Sequence, residues 1–329
     1  MRDHLRRPPA DDPARGAYKE WLHVNAFDHA TGVIALVNVS VHGDPTAPAS
    51  RAVGAALVHE PGVGWAGNAE VVSAGAVEAG VLALATAGVA VAVDPSGTRV
   101  AARARLPRDG VDLTLEGVPV GPELSVESTM PFGSGYLGWA VYPRMRVDGT
   151  LDLPGRTVTL DGAGGYADHN WGRWWWGDDA GWDWACWHAP DGLLVVFSRM
   201  TNRAHTRSGQ VLLTVEVGGR VVRFVDDQVL VETHGRRWPS RRLPGALAAL
   251  HTDRAAERLP ARVAVHANNG FDGLDLEFEV RDVAQLVMAE PAQPGFAFLH
   301  ELVGEFRCVG LIAGTRVDSV GLGVVERAG

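Results

Sequence analysis

The 329-residue sequence predicts an all-β protein whose antiparallel sheets close into one barrel or a pair of barrels. Three observations carry this reading. Short segments alternate strictly between apolar and polar residues: Val111, Leu113 and Leu115 against Asp112, Thr114 and Glu116, and Leu274, Leu276, Phe278 and Val280 against Asp275, Glu277 and Glu279. Forty glycines and nineteen prolines are spread between such segments, as turns of meandering sheets require. Helical signal is confined to one short stretch, residues 245–258, of good helix-forming composition and weak patterning. One-sided alternation places one sheet face toward a core and the other toward water, and closure into a barrel removes exposed edges.

In chain order, residues 1–16 are rich in Pro, Arg and Asp without periodicity, which predicts a disordered tail. Residues 21–41 read as two strands around a tight turn at Gly32. The apolar run 71–93 is broken by glycines and Glu78, so it reads as strands with turns and not as a membrane span. Residues 145–153 alternate around Asp148-Gly149, a hairpin cue. Further strands are expected at 156–160, 193–198, 211–217, 220–225 and 263–266, and the glycine-studded end, 307–326, continues the pattern. The irregular stretch 172–181 is the natural junction. It gives a tail (1–16), an N-terminal domain (17–178) and a C-terminal domain (179–329), with a ligand cleft expected near the junction.

A net charge of −9 and a pI near 5.7 argue against nucleic acid or an anionic membrane surface as main partner. Two distant cysteines, Cys186 and Cys308, make neither a disulfide framework nor a cysteine zinc site. With no apolar segment after the N-terminus, a cytoplasmic location is expected. No dinucleotide fingerprint follows a strand and no histidine pair has ligand spacing, so neither cofactor nor metal is expected. The oligomeric state stays open.

The stretch 161–199 holds seven of the eleven tryptophans, interleaved with Asp168, His169, Asp183 and His188. An aromatic wall with a few polar groups suits an apolar or polyunsaturated small molecule. Within it, Gly164-Gly165-Tyr166-Ala167-Asp168-His169-Asn170-Trp171-Gly172 is similar to the G-x-x-x-D-H-x-W-G signature of the hydroxyneurosporene synthase (carotenoid 1,2-hydratase) family. Glu20-Trp21, Tyr142-Pro143-Arg144, Asp183-Trp184 through Trp187, and the closing Gly321-Leu322-Gly323-Val324-Val325-Glu326 resemble its other motifs, in order. The resemblance implies two lipocalin-like β-barrel domains packed together and an apolar, unsaturated substrate. Hydratases of isoprenoid double bonds belong to that family, and related lipocalin-like folds host tocopherol cyclase and pericyclic, Diels–Alder-type cyclases. The Trp174-Trp175-Trp176 run departs from the family pattern and points to a smaller polyketide or terpenoid as an alternative to a long carotenoid.

Hydrating or cyclising an alkene needs a proton donor and a pocket that tolerates a cation. Asp168 is the candidate acid, with Tyr166 near it, and His169 is placed to orient the acid or take the proton back. Trp171, Trp175, Asp183, Trp184, Trp187 and His188 are the candidate substrate-binding residues. Strand parity divides them: Tyr166, Asp168 and Asn170 share one face and His169 and Trp171 the other, while Trp182, Trp184, Cys186 and His188 oppose Asp183 and Trp187. The expectation is that Asp168 faces the lumen. Asp168 and His169 as a buried structural pair, and the tryptophans as plain core, are the competing readings. Asp178-Asp179 reads as a solvated turn. The run from Arg236 to Arg242 reads either as a solvated loop or as a grip on a carboxylate or phosphate. Three functions remain open: acid-assisted hydration or cyclisation, shape-selective pericyclic cyclisation, and non-catalytic carriage of an apolar ligand.

Overall fold

The computed structural model describes residues 5–6, 8, 11–44, 47–76, 78–79, 81–243, 259–290 and 294–329. The expected helix at 245–258 lies outside them. The architecture is all-β, and among the described residues there is no α-helix. The chain divides into two compact units: Met1–Asp178 with Ala289–Phe296, and Asp179–Met288 with Ala297–Gly329.

The first unit is a single antiparallel sheet built from β1 (Tyr18–Asp28), β2 (Val33–His42), β3 (Arg51–Glu60), β4 (Gly64–Ser73), β5 (Glu78–Ala79), β6 (Ala83–Ala85), β7 (Val89–Val93), β8 (Val100–Leu106), β9 (Val111–Pro119), β10 (Leu124–Phe132), β11 (Gly135–Leu153) and β12 (Arg156–Arg173). The strand order is β4-β3-β2-β1-β12-β11-β9-β8-β7-β6-β5, with β10 on β11. The last strand therefore lies beside the first, and β12 is central. Leu22, Val24 and Val37 on one wing of the sheet share a buried core with Val89, Val91, Leu113 and Leu115 on the other, so the sheet curls over its own apolar face. Each such side chain contributes roughly 1.5–3 kcal/mol on burial.

The β1–β2 turn forms where expected. Gly32 has φ +76°, its N–H bonds the Asp28 carbonyl at 2.8 Å, and an added Cβ would meet Pro61 at 2.8 Å. The turn expected at Asp148-Gly149 is not there. β11 runs through it with a register shift at 147–149 and keeps pairing with β9, and the chain reverses at Pro154-Gly155 instead. Gly149 is needed for close approach: a Cβ there would stand 2.2 Å from the Thr114 carbonyl oxygen. A bulge and a hairpin leave the same local Asp-Gly signature.

The second unit comprises β13 (Gly181–His188), β14 (Leu194–Thr201), β15 (Ser208–Val217), β16 (Arg220–Val225), β17 (Val229–His234), β18 (Arg241–Leu243), β19 (Arg262–Asn268), β20 (Gly273–Ala289), β21 (Phe296–Ile312) and β22 (Thr315–Ala328). The order is β16-β15-β14-β13-β22-β21-β20-β19-β17, and β18 adds to β20 in parallel. Its core joins Trp187, Phe197, Phe224, Phe278 and Phe306 with aliphatic residues. In each unit a central tryptophan packs against a cross-strand glycine. Trp171 opposes Gly138 and Trp187 opposes Gly323, and a Cβ on those glycines would stand 2.3 and 2.2 Å from the indoles.

Candidate functional site

β12 divides the signature as its parity requires. On one face Tyr166 Oη donates to Asp168 Oδ2 at 2.7 Å and Asn170 Nδ2 donates to Asp168 Oδ1 at 2.6 Å. The row continues on β1, where His23 pairs with Asp168 and Asn25 with Tyr166, and His23 Nε2 lies 2.5 Å from Asn25 Oδ1. All five residues are buried. Burial lowers the His23 pKa to about 4, so its imidazole is neutral near pH 7.

The other face of β12 belongs to the apolar core through Ala167 and Trp171. His169 therefore faces the core and Asp168 faces away from it, which corrects the expectation of a lumen-facing Asp168. The two adjacent residues do not form a pair. The partner of His169 is Glu20: Nε2 lies 2.8 Å from Glu20 Oε1, and both side chains are buried. Glu20 collects two further donors, the Arg6 backbone N–H at 2.6 Å and the Tyr18 hydroxyl at 2.9 Å. Burial, and then the Glu20 carboxylate, push the Tyr18 pKa far above the phenol range, so this hydroxyl stays a neutral donor. Trp171 lies 4.9 Å from His169 between ring centroids, and the Arg6 guanidinium sits 3.9 Å over its indole. The second ring nitrogen of His169, Nδ1, is buried without a hydrogen-bond partner.

That arrangement has the form of an oriented acid–base group. A carboxylate fixes one imidazole nitrogen, which leaves the other to take or give a proton. Leaving a buried ring nitrogen unpaired costs about 1–3 kcal/mol. Sequence reasoning placed Glu20 in the Glu20-Trp21 motif and gave it no role at the site. The available signal was a glutamate in alternation with the core-facing Leu22, Val24 and Ala26 of β1.

The Trp174–Trp176 run does not form an open wall. It encloses the buried ammonium of Lys19, which stands 5.3, 5.8 and 5.4 Å from the three indole rings. Lys19 Nζ pairs with Glu290 Oε1 at 2.9 Å and donates to the Trp174 carbonyl at 2.6 Å. The same carboxylate accepts the Trp176 backbone N–H, and Trp176 Nε1 donates to His42 Nδ1 at 3.2 Å. Trp175, expected to touch substrate, thus belongs to a cage that an internal cation already fills.

In the second unit, parity again holds. Asp183 and Trp187 share the core face, with Trp182, Trp184, Cys186 and His188 on the other. Asp183 makes ion pairs with Arg199, with Arg327 Nε at 3.0 Å and with His205 Nδ1 at 3.1 Å. Burial alone would raise its pKa. Arg327, His205 and Arg199 outweigh it and hold the carboxyl far below the usual range, so Asp183 is no proton donor. Trp187 is core, 6.1 Å from Phe278 and 6.2 Å from Phe197. Trp184 pairs across β13–β22 with Glu326, whose carboxylate accepts Trp182 Nε1 at 2.5 Å and whose pKa burial raises. Trp184 and His188 are buried on that side. No cluster of three or more metal-ligating side chains occurs among the described residues.

These features can be set beside known proteins. No family model matches the sequence, and no curated protein matches it. Solved structures do. A protein described as AttH from Nitrosomonas europaea aligns over 99% of this chain and 96% of its own, with a TM-score of 0.69 and 16% identity. The fold is lipocalin-like. Kievitone hydratase from Nectria haematococca aligns over 98% of this chain and 92% of its own, at TM-score 0.64 and 11% identity. CghA with Sch210972 aligns over 95% and 88%, at TM-score 0.62 and 14% identity. At such identities the likeness concerns the fold, and any activity must be argued from residues.

Proposed function

We propose that the protein is an enzyme that acts on an apolar, unsaturated small molecule by proton-assisted hydration or cyclisation, with His169 as the proton-transferring group. The observation that carries this reading is the buried Glu20–His169 pair with its unpartnered Nδ1. As an imidazolium, His169 would deliver the Nδ1 proton to one alkene carbon. The adjacent carbon then accepts water, or a second double bond of the same molecule, and the proton lost from that adduct returns to Nδ1. The Glu20 carboxylate stabilises the charged ring, and Tyr18 holds Glu20 in place. A hydratase and CghA among the similar folds support the reaction class without assigning a substrate.

The test is a set of variants compared for binding and turnover. His169→Gln should retain ligand binding, read by tryptophan fluorescence, and lose about 10²–10⁴-fold in turnover. Glu20→Gln should lose less and shift the pH–rate profile. Asp168→Asn, on the opposite face, should keep most of the rate. Full turnover in His169→Gln would leave shape-selective cyclisation as the reading, and ligand recovered unchanged from the native enzyme would leave carriage.

A further inference from the structure

We propose that the core-facing side of the second unit contains a binding site for a carboxylate, formed by Arg327, His300, Gln285 and Arg242. The site comes from strand register. Arg199 pairs with Asp183 across β13–β14, Asp183 with Arg327 across β13–β22, and Arg327 with His300 across β21–β22. At the far side Gln285 pairs in parallel with Arg242 of β18. On β20 the core positions run 274, 276, 278 and 280, then 283, a parity change that a one-residue bulge produces. Gln285 therefore follows Val283 onto the core face, as His300 precedes Leu302 on the neighbouring strand. A polar row thus lies on the core face: the cross-strand run Arg199, Asp183, Arg327 and His300, continued on the neighbouring strands by Gln285 and Arg242.

Half of this row is satisfied and half is not. Asp183 lies against Arg199, Arg327 and His205. Beyond Arg327, His300 Nε2, both amide atoms of Gln285 and Arg242 Nε are buried without a hydrogen-bond partner. His300 is 5% exposed and Gln285 0%. An unpaired buried polar atom costs about 1–3 kcal/mol, and three neighbouring side chains here carry that cost together. The row holds three arginines and one aspartate, so its open end is cationic. Arg242 Nε and Gln285 Nε2 are donors lacking an acceptor. A carboxylate has two acceptor oxygens, which suits a guanidinium and an amide on adjacent strands. A water or a ligand hydroxyl would serve Gln285 Oε1. Burial first, and then the positive charges of Arg327 and His205, lower the His300 pKa to about 3. The arginine run read from the sequence as either loop or anion grip thus divides. Arg236 and Arg237 are exposed, while Arg242 reaches this row.

The test measures binding of benzoate, its neutral isostere benzamide and inorganic phosphate to the full chain by isothermal titration. Benzoate should bind at least ten-fold more tightly than benzamide. Arg242→Gln and Gln285→Leu should each erase that preference, while Arg307→Gln, an exposed arginine paired with Asp318, should leave it intact. Thermal melts with and without benzoate give a second readout, since a ligand specific for the folded state raises Tm. Equal binding of benzoate and benzamide, as a site filled only by water would give, overturns the proposal. So does a preference that survives both substitutions, or phosphate binding more tightly than benzoate.

Discussion

Replacing Lys19 by Met removes the one ammonium inside the Trp174–Trp176 cage. Lys19 and Glu290 each have fully buried side chains, so neither charge is shared with water. The substitution leaves the Glu290 carboxylate with the Trp176 backbone N–H as its remaining described donor. It also removes the hydrogen bonds to the carbonyls of Trp174 and Ala17. Breaking a buried pair from one side costs about 3–5 kcal/mol, because an uncompensated charge stays inside. A desolvated ammonium over indole faces adds up to about 2 kcal/mol to what is lost. The double variant Lys19→Met/Glu290→Met removes both charges, and apolar replacements of a buried pair are often neutral or stabilising. The expected result is a non-additive cycle. The single substitution at Lys19 lowers stability by roughly 4 kcal/mol, and the second recovers at least 2 kcal/mol of it. Urea unfolding followed by tryptophan emission measures both, and a slope of about 2–3 kcal/mol per molar would move the midpoint by more than 1 M. A single-variant cost below about 1 kcal/mol, or simple additivity with Glu290→Met, would refute the account of the cage.

Two further expectations concern stability. His23, His42 and His300 are buried with pKa values of about 4, 3 and 3, against 6.5 in the unfolded chain. Burial is the main cause in each, joined by Lys19 at His42 and by Arg327 and His205 at His300. A depressed folded-state pKa contributes stability that is present above pH 6.5 and is lost as pH falls toward the folded values. Between pH 6.5 and 4 each histidine should remove on the order of 3 kcal/mol, so urea midpoints should fall steeply over that window. His23→Gln should flatten the fall, and a midpoint constant from pH 7 to 4 would contradict the assignment. Gly323→Ala places a methyl 2.2 Å from the Trp187 indole and should cost about 1–3 kcal/mol by overpacking, measured by thermal melting; an unchanged Tm would mean the indole does not rest there.

Much of the fold could be read from the sequence because one-sided sheets write their burial as alternation. Val111, Leu113 and Leu115, and Leu274 through Val280, lie in the cores as their period required. Asp148-Gly149 misled because a bulge needs the same small and turn-forming residues as a hairpin. At the site, parity correctly separated Tyr166 and Asp168 from His169 and Trp171. It could not say which face meets the core, since that depends on how the sheet curls. The role of Glu20, named in the sequence only as part of a motif, went unread because its partner is 149 residues away, and single-sequence reading sees no cross-strand register. The tryptophan run looked like a ligand wall for a related reason: the cation it encloses comes from β1 and its counter-ion from residue 290. Asp183 seemed available to a substrate until Arg199, His205 and Arg327 were found around it.

The most direct test of proton transfer at His169 is turnover in D2O. A panel of conjugated isoprenoid and polyketide polyenes is incubated with the native protein and with His169→Gln, and products are analysed by mass spectrometry and NMR. The account predicts a hydrated or cyclised product bearing one new carbon–deuterium bond, formed at least a hundred-fold more slowly by the variant. A product without carbon-bound deuterium, or one formed equally fast by His169→Gln, would contradict it.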